Sequence, residues 1–260
     1  MKNRLILILS GIVFLGFSSC IDTFLCIDGD GFVASELRSA KGFHIIENTT
    51  EFDIIYKKSD TTGILITTDL NLMDHIVTEI VNNTLEIKTR PRTACLNFSK
   101  RSVITVACPD LDKVLLSGSG SLAADEMSGD RVSIKLSGSG DISADRVVCH
   151  DLSAIISGSG DIVLGLVSCT DSEFATSGSG TISVAGECDS EDIKISGSGM
   201  FDGRNFVTRS ANIALSGSGN AHSNVTDYLK AAISGSGNIY LTGNPRIEQK
   251  TSGSGRIIKQ

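Results

Sequence analysis

Apolar and polar residues alternate on both sides of a four-residue motif, Ser-Gly-Ser-Gly, that recurs through the second half of the chain. The residue before the motif and the residue two positions earlier are apolar in most copies, and the alternation resumes after it. Because successive side chains of a β-strand point to opposite faces, this period of two is typical of half-buried strands. Each motif is therefore predicted to join two strands. The copies begin at Ser117, Ser137, Ser157, Ser177, Ser196, Ser216, Ser234 and Ser252.

The spacing of the motif predicts how these strands are arranged. Neighbouring copies lie 18 to 20 residues apart, a regularity that a flexible Gly/Ser linker would not need. Coils of this length, repeated in register, are typical of a right-handed parallel β-helix, in which adjacent coils hydrogen-bond at about 4.8 Å. Leucine-rich repeats have a similar period, but their asparagine ladder and leucine spacing are absent. We predict an all-β fold with about eight such coils over residues 113–260.

The motif itself is interpreted as a structural corner. If the alternation continues through it, both glycines point into the coil, where a sharp bend leaves no room for a Cβ, and both serines point outwards. Glycine also tolerates a positive φ where the chain turns. The alternative is a nest of backbone amides that binds a ligand. The first glycines of the corners are Gly118, Gly138, Gly158, Gly178, Gly197, Gly217, Gly235 and Gly253.

Residues 41–112 are predicted to form the entry to the coil stack. Their patterning is strand-like over residues 43–56 and 63–67, whereas Leu72, Ile76, Val77 and Ile80 have helical spacing. The spacing predicts one short helix over residues 70–81 that caps the first coil, since an uncovered sheet edge invites pairing with another chain. The far end, "GRIIKQ", looks bare, although Arg256 and Lys259 would blunt it.

The first 19 residues have the pattern of an export signal. Lys2 and Arg4 precede an apolar run that extends to Phe17, a length too short to span a bilayer with margin. The end of this segment, followed by Cys20, resembles a bacterial lipobox, which implies cleavage before Cys20 and lipidation of its thiol. Two or three acyl chains anchor a protein stably. The alternative is ordinary secretion with Cys20 left as a thiol. Residues 20–40 are predicted to be the lipid anchor and tether.

Composition narrows the classes of partner. The formal net charge is −7, and removal of Lys2 and Arg4 with the signal makes it more negative. This balance disfavours nucleic acids and anionic lipid headgroups, which need a basic footprint. The chain has no Trp and three Tyr, so it lacks the stacking rings common in sugar-binding proteins. Nothing after the signal resembles a transmembrane helix.

Cysteines offer the clearest candidate chemistry. Cys149, Cys169 and Cys188 each precede a motif by eight residues, so they share one position in three successive coils. A spacing of about 4.8 Å suits a disulfide, and an exported protein meets oxidising conditions. One neighbouring pair is predicted to be able to bond, and the alternative is a ladder of small buried side chains. Cys95 and Cys108 form a second candidate pair, and Cys26 is unassigned.

Other polar residues do not assemble into a catalytic or metal site in the sequence. Asp141 and Asp161 share the position after the motif, where stacked carboxylates could act in a glycosidase or bind calcium. Solvent-facing aspartates at a turn are the favoured interpretation. The four histidines, His44, His75, His150 and His222, share no coil position and form no nucleophile–base pair. We therefore predict no enzyme, no metal and no cofactor.

The repeated "SGSGDI", "SGSGNI" and "SGSGTI" on a chain with a lipobox resemble the GIN-domain family of adhesin head domains, common in secreted proteins of Bacteroidota. "GSGNI", at Gly235 to Ile239, is close to the element that names the family. Upstream, "KGFHIIENTTEFDIIYKK" and "LNLMDHIVTEIVNNTLEIKTR" resemble its opening strands, short helix and return strand, so the resemblance runs from about residue 41 to the last coil. It implies a β-helical head over residues 41–260 and an adhesive or cell-surface role.

The expected function is a cell-envelope protein that is lipid-anchored to the outer membrane and whose head binds a protein or glycan ligand. A polysaccharide-degrading β-helix enzyme and a purely structural envelope spacer remain as alternatives. The sequence leaves open the ligand, the oligomeric state and whether the head faces the medium or the periplasm.

Overall fold

The computed structural model describes residues 26–91 and 95–260, so Cys20 and the signal lie outside the described residues. The described residues form 19 strands and one short 3-10 helix, Leu70–His75. The strands are β1 Ile27–Asp28, β2 Val33–Arg38, β3 Ile45–Asn48, β4 Asp53–Lys58, β5 Gly63–Asp69, β6 Ile76–Val81, β7 Thr84–Thr89, β8 Leu96–Asn97, β9 Val103–Cys108, β10 Lys113–Leu116, β11 Leu122–Leu136, β12 Ile142–Ile156, β13 Ile162–Thr176, β14 Thr181–Gly197, β15 Met200–Gly217, β16 Asn220–Gly235, β17 Ile239–Thr242, β18 Arg246–Gly253 and β19 Ile257–Lys259.

Strands β10 to β19 form a β-solenoid of stacked parallel coils, which confirms the predicted fold class. Each long strand bends around one coil and pairs in parallel with the strands before and after it. Residues predicted to stack do so: Leu136 lies beside Ile156, and Ile156 lies beside Thr176. All three side chains are buried. The apolar columns of the sequence therefore form the continuous core of the solenoid.

The first coil precedes the first Ser-Gly-Ser-Gly motif and has a different corner. Strands β3 and β4 lie beside β10 and β11, so residues 49–52 take the place of the motif. The buried Asn48 side chain stabilises this corner, since its Nδ2 donates to Phe52 O at 3.1 Å and its Oδ1 accepts from Thr50 N at 2.9 Å. Side-chain hydrogen bonds thus hold this corner, which contains no glycine.

Antiparallel strands close the beginning of the solenoid. β5 pairs with β9, β2 pairs with β5, and β6 pairs with β7. Arg38 ties β2 to the helix end, because its guanidinium donates to Ile76 O at 2.7 Å and Met73 O at 3.2 Å. Leu72 and Met73 of the 3-10 helix are buried, so the predicted cap exists.

The predicted length of the capping helix was wrong. The helix ends at His75, and residues 76–81 are strand β6. This segment is rich in β-branched residues, which restrict χ1 and fit a pleated surface. Asn82 and Asn83 follow with φ of 49° and 63°. Two left-handed residues are the backbone that a tight hairpin between antiparallel strands requires, so the chain returns at once as β7.

At the other end, β18 pairs with β16 and β19 pairs with β17. Most of β18 is exposed, as expected for a final coil with little packed over it. Within the two described segments, no helix has both the length and the apolar character needed to cross a membrane.

Candidate functional site

The corner motifs hold adjacent coils close together. Both serines of the Ser157–Gly160 corner are exposed, Gly158 is half-buried and Gly160 is buried. A Cβ added to Gly158 would lie 2.0 Å from Gly138 O, one coil earlier. The space at Gly158 is therefore limited along the stack, by the preceding carbonyl, whereas the alternation predicts crowding in the coil interior. The corner amides also donate backward, as from Ser159 N to Gly138 O at 3.3 Å.

The position after the motif carries a second ladder. Asp161 N donates to Asp141 Oδ1 at 2.9 Å, and Thr181 N donates to Asp161 Oδ1 at 2.7 Å. Asn220 and Asn238 accept in the same way from the residue one coil later, at 2.9 and 3.3 Å. A side-chain oxygen thus takes the place of a backbone acceptor between coils. This geometry gives Asp141 and Asp161 a structural role in the corner.

The four histidines lie apart. His44 contacts Asp112 Oδ1 at 2.9 Å, His75 contacts Arg90 O at 2.8 Å, and His222 stacks on Tyr240 with ring centroids 4.4 Å apart. His150 contacts Asp151 at 2.9 Å, and this hydrogen bond raises the pKa of the imidazole.

Near His150, Asp151 and Asp171 bring potential ligand atoms within 4.8 Å of one another. However, Arg131 Nη2 already donates to Asp151 Oδ2 at 2.9 Å. The guanidinium neutralises the Asp151 carboxylate, so we assign no cation to this cluster of three residues.

The disulfide that the structure contains differs from one of the predicted cysteine pairs. Cys26 and Cys95 form a disulfide, with Cα atoms 4.5 Å apart, that joins the parallel strands β1 and β8. The proposed Cys95–Cys108 bond was therefore wrong. Cys108 ends β9 inside the core, where its carbonyl accepts from Tyr56 Oη at 3.0 Å. Burial raises the pKa of its thiol to about 11. Cys108, Cys149, Cys169 and Cys188 all carry free thiols.

A concave, largely apolar surface lies on one corner of the middle coils. We call it the corner groove, and its volume is about 490 Å³. Leu166, Val207 and Val148 are 65%, 43% and 36% exposed there. Such aliphatic exposure on a polar exterior is typical of a binding surface. The lining residues are Arg146, Val148, Leu166, Val167, Ser168, Gly186, Glu187 and Val207.

A β-bulge lies within this groove. Leu164 pairs with Val184 but Val167 pairs with Gly186, so two residues of β13 face one residue of β14. Leu166 lies inside the bulge and pairs with the exposed Arg146 of β12, so it belongs to an outward-facing column. Gly186 has φ +126°, and a Cβ on it would lie 2.0 Å from Val167 O. The signal in the sequence is the shorter interval between Ser177 and Ser196, which by itself does not predict a groove.

A polar cavity of about 380 Å³ continues the corner groove and shares Ser168, Glu187 and Val207 with it. Its other lining residues are Cys169, Cys188, Asp189, Thr208, Arg209 and Thr226. Thiols of two adjacent coils therefore border a surface that also offers aliphatic and charged groups.

Comparison with known proteins identifies the family of this chain. The family model described as "Putative auto-transporter adhesin, head GIN domain" matches residues 42–245. The chain belongs to this family. The match confirms the resemblance seen in the corner motifs, and it includes the first coil and the antiparallel strands except β2.

Several solved structures superpose over most of the chain. One from Parabacteroides distasonis, described as a putative lipid binding protein, is 26% identical with TM-score 0.85, covering 90% of this chain and 99% of its own. A putative adhesin from Parabacteroides merdae is 25% identical with TM-score 0.85, covering 90% and 98%. A putative adhesin from Bacteroides fragilis, at 22% identity and TM-score 0.70, covers 90% and 100% and shares the fold. A search of curated proteins found no match.

Proposed function

We propose that this GIN-domain protein is lipid-anchored in the outer membrane through Cys20 and binds an aliphatic ligand, the hydrocarbon chain of a lipid, in the corner groove. The family description supports a cell-envelope role in adhesion or binding rather than catalysis. The observation that carries the ligand class is the exposed set Val148, Leu166 and Val207 around one concave surface.

The lining favours a hydrocarbon chain over a sugar. It contains aliphatic side chains and no aromatic ring on which a sugar could stack. Arg146 and Glu187 supply charges at the rim that could orient a polar head group. A related structure is described as a putative lipid binding protein, which supports the same ligand class. The acidic net charge disfavours nucleic acid as a partner.

Leu166 provides the direct test. Leu166→Glu should weaken binding of a fluorescent long-chain fatty acid roughly tenfold or more, because a carboxylate replaces apolar contact area in the groove. Val163→Glu is the matched control, since Val163 is on the same strand and 50% exposed but does not line the groove. Titration of both variants and the wild type by fluorescence anisotropy makes the comparison. Equal affinities in all three, or no saturable binding by the wild type, would contradict the lipid assignment.

The anchor is tested separately from the ligand. Growth with an alkyne-bearing fatty acid should label the wild-type protein and leave Cys20→Ala unlabelled, because the thioether forms only on that thiol. Labelling is read by click chemistry on the purified protein. Equal labelling of both would refute acylation at Cys20 and leave ordinary secretion as the explanation. Protease treatment of intact cells then distinguishes a head that faces the medium from one that faces the periplasm.

A further inference from the structure

Two of the free cysteines are direct neighbours in adjacent coils. Cys169 of β13 and Cys188 of β14 are register partners in a parallel pair. Partners in such a pair have Cα atoms about 4.8 Å apart, which lies inside the range of roughly 4.4–6.8 Å found for disulfides. Cys149 occupies the same column one coil earlier, but no backbone pairing joins it to Cys169, although Val148 pairs with Ser168.

The chain already contains a disulfide built in this way. Cys26 and Cys95 lie one residue before the parallel partners Ile27 and Leu96, and their Cα atoms are 4.5 Å apart. Strands β1 and β8 thus accommodate a bond between cross-strand neighbours of a parallel pair. This disulfide also indicates that the mature chain meets an oxidising compartment, where another close pair of thiols would be exposed to the same oxidants.

We propose that Cys169 and Cys188 form a second disulfide, which links two coils beside the corner groove and leaves Cys149 and Cys108 as thiols. The oxidant is an external disulfide, either a small molecule or a disulfide-carrying oxidoreductase. The thiolate of one cysteine attacks that disulfide, forms a mixed disulfide and releases one external thiolate. The thiolate of the other cysteine then attacks the protein sulfur and releases the second, so two electrons and two protons leave the pair.

The surroundings of the pair support this chemistry. Both cysteines line the polar continuation of the corner groove. Cys169 is partly exposed there whereas Cys188 is buried, so an external disulfide reaches the pair from the side of Cys169. The hydrogen bond between the two thiols lowers the pKa of Cys188 and raises the pKa of Cys169, so Cys188 is the more readily ionised thiol of the pair. Burial instead raises the pKa of Cys149 to about 11. Register therefore selects the Cys169–Cys188 pair out of three stacked cysteines, and the lowered pKa marks Cys188 as its more readily ionised thiol.

The bond would fix the wall that separates the two parts of the groove. Ser168 and Glu187 each precede one of the two cysteines, and both line the apolar and the polar part. A covalent link between their neighbours would hold these coils together beside the β-bulge. The redox state of the pair would then set how freely this wall moves.

Peptide mapping decides the proposal. The full mature protein is incubated with oxidised glutathione, remaining thiols are alkylated without reduction, and the digest is analysed by mass spectrometry. We expect a Cys169–Cys188 cross-linked peptide beside Cys26–Cys95, with Cys108 and Cys149 alkylated. Complete alkylation of Cys169 and Cys188 after oxidation would overturn the proposal, and so would a Cys149–Cys169 link.

Two variants add a measurement on the folded protein. Cys149→Ser should retain the wild-type loss of thermal midpoint on reduction, whereas Cys188→Ser should show a smaller loss, because only Cys26–Cys95 is left to reduce. Identical redox shifts in the two variants would contradict a Cys169–Cys188 bond. If Cys188→Ser does not fold, the mapping of the wild type still decides.

Discussion

Gly158→Ala is expected to destabilise the protein by about 3 kcal/mol or more, even though it adds one methyl group at a half-buried corner. The added Cβ would lie 2.0 Å from Gly138 O. Because that oxygen belongs to the backbone of a stacked coil, relief requires the coils to separate. Separation would weaken the neighbouring bonds from Ser157 N to Leu136 O, at 2.8 Å, and from Ser159 N to Gly138 O, at 3.3 Å. Urea unfolding followed by circular dichroism measures the loss.

Two matched variants separate crowding from the general effect of replacing a corner residue. Gly63→Ala adds the same methyl group where the nearest heavy atom, Leu37 Cδ1, is 3.8 Å away, so its effect should be small. Ser159→Ala changes an exposed hydroxyl of the same corner and should cost far less than about 1 kcal/mol. Unchanged stability in Gly158→Ala would mean that the corner behaves as a flexible linker. Lost ligand binding at an unchanged midpoint would instead favour a ligand-binding nest.

The solenoid could be predicted from the sequence because parallel stacking in register repeats one environment in every coil. The residue directly before each motif stacks on its counterpart in the next coil. The apolar Leu136 and Ile156 therefore predict that Thr176, at the same position, is buried. The first coil could not be predicted in this way. Its corner, residues 49–52, satisfies the same backbone geometry with Asn48 and shares no letters with the repeat.

Features that depend on a single long-range contact could not be inferred. The Cys26–Cys95 disulfide joins residues that are 69 positions apart, and both lie outside the periodic region. The hairpin at Asn82 and Asn83 does have a local signal, two residues suited to left-handed backbone, but the helical spacing of Leu72, Ile76 and Ile80 favours the opposite interpretation. A periodic pattern of only a few residues is compatible with more than one element.

The groove shows the same limit within the repeat. A one-residue difference in interval marks the coil with the bulge, but it does not indicate which residue is displaced or which way it points. Leu166 lies in the outward-facing column of Glu126 and Arg146, but the repeat does not indicate that an aliphatic side chain there borders a groove. Periodicity therefore predicts the core columns well and predicts poorly where the columns are interrupted, which is where the candidate binding surface lies.

Glu191 is the strongest of these interruptions, because it places a carboxyl group inside an apolar column. The column runs Val132, Leu152, Ser172, Glu191, Ala211 and Leu229 through successive register pairs. Ser172 and Ala211 are small, and they leave room for the longer side chain between them. Both carboxyl oxygens of Glu191 are buried and have no hydrogen-bond partner among the described residues. Burial raises the pKa of Glu191 well above its usual value.

This raised pKa determines the direction of a pH effect on stability. The folded chain keeps the proton on Glu191, whereas the unfolded chain releases it near the ordinary value of 4.5. The unfolded state therefore binds fewer protons above that pH. The free energy of unfolding should fall as pH rises from about 4.5 towards the folded-state pKa, by at most about 1.4 kcal/mol per pH unit.

Glu191→Met should remove this loss. Methionine has a similar length, needs no hydrogen-bond partner and suits an apolar column, so at about pH 8 the variant is expected to be more stable than the wild type by roughly 2 kcal/mol. The difference should shrink as the pH approaches 4.5, where the wild-type carboxyl becomes protonated in both states. Urea unfolding of both proteins across this pH range measures it. Glu187→Met, at an exposed carboxylate of the same strand, should leave the wild-type slope unchanged. A Glu191→Met variant that is less stable at the alkaline end would show that the carboxylate is ionised and satisfied inside the coil, and that its column holds a polar site rather than an interrupted core.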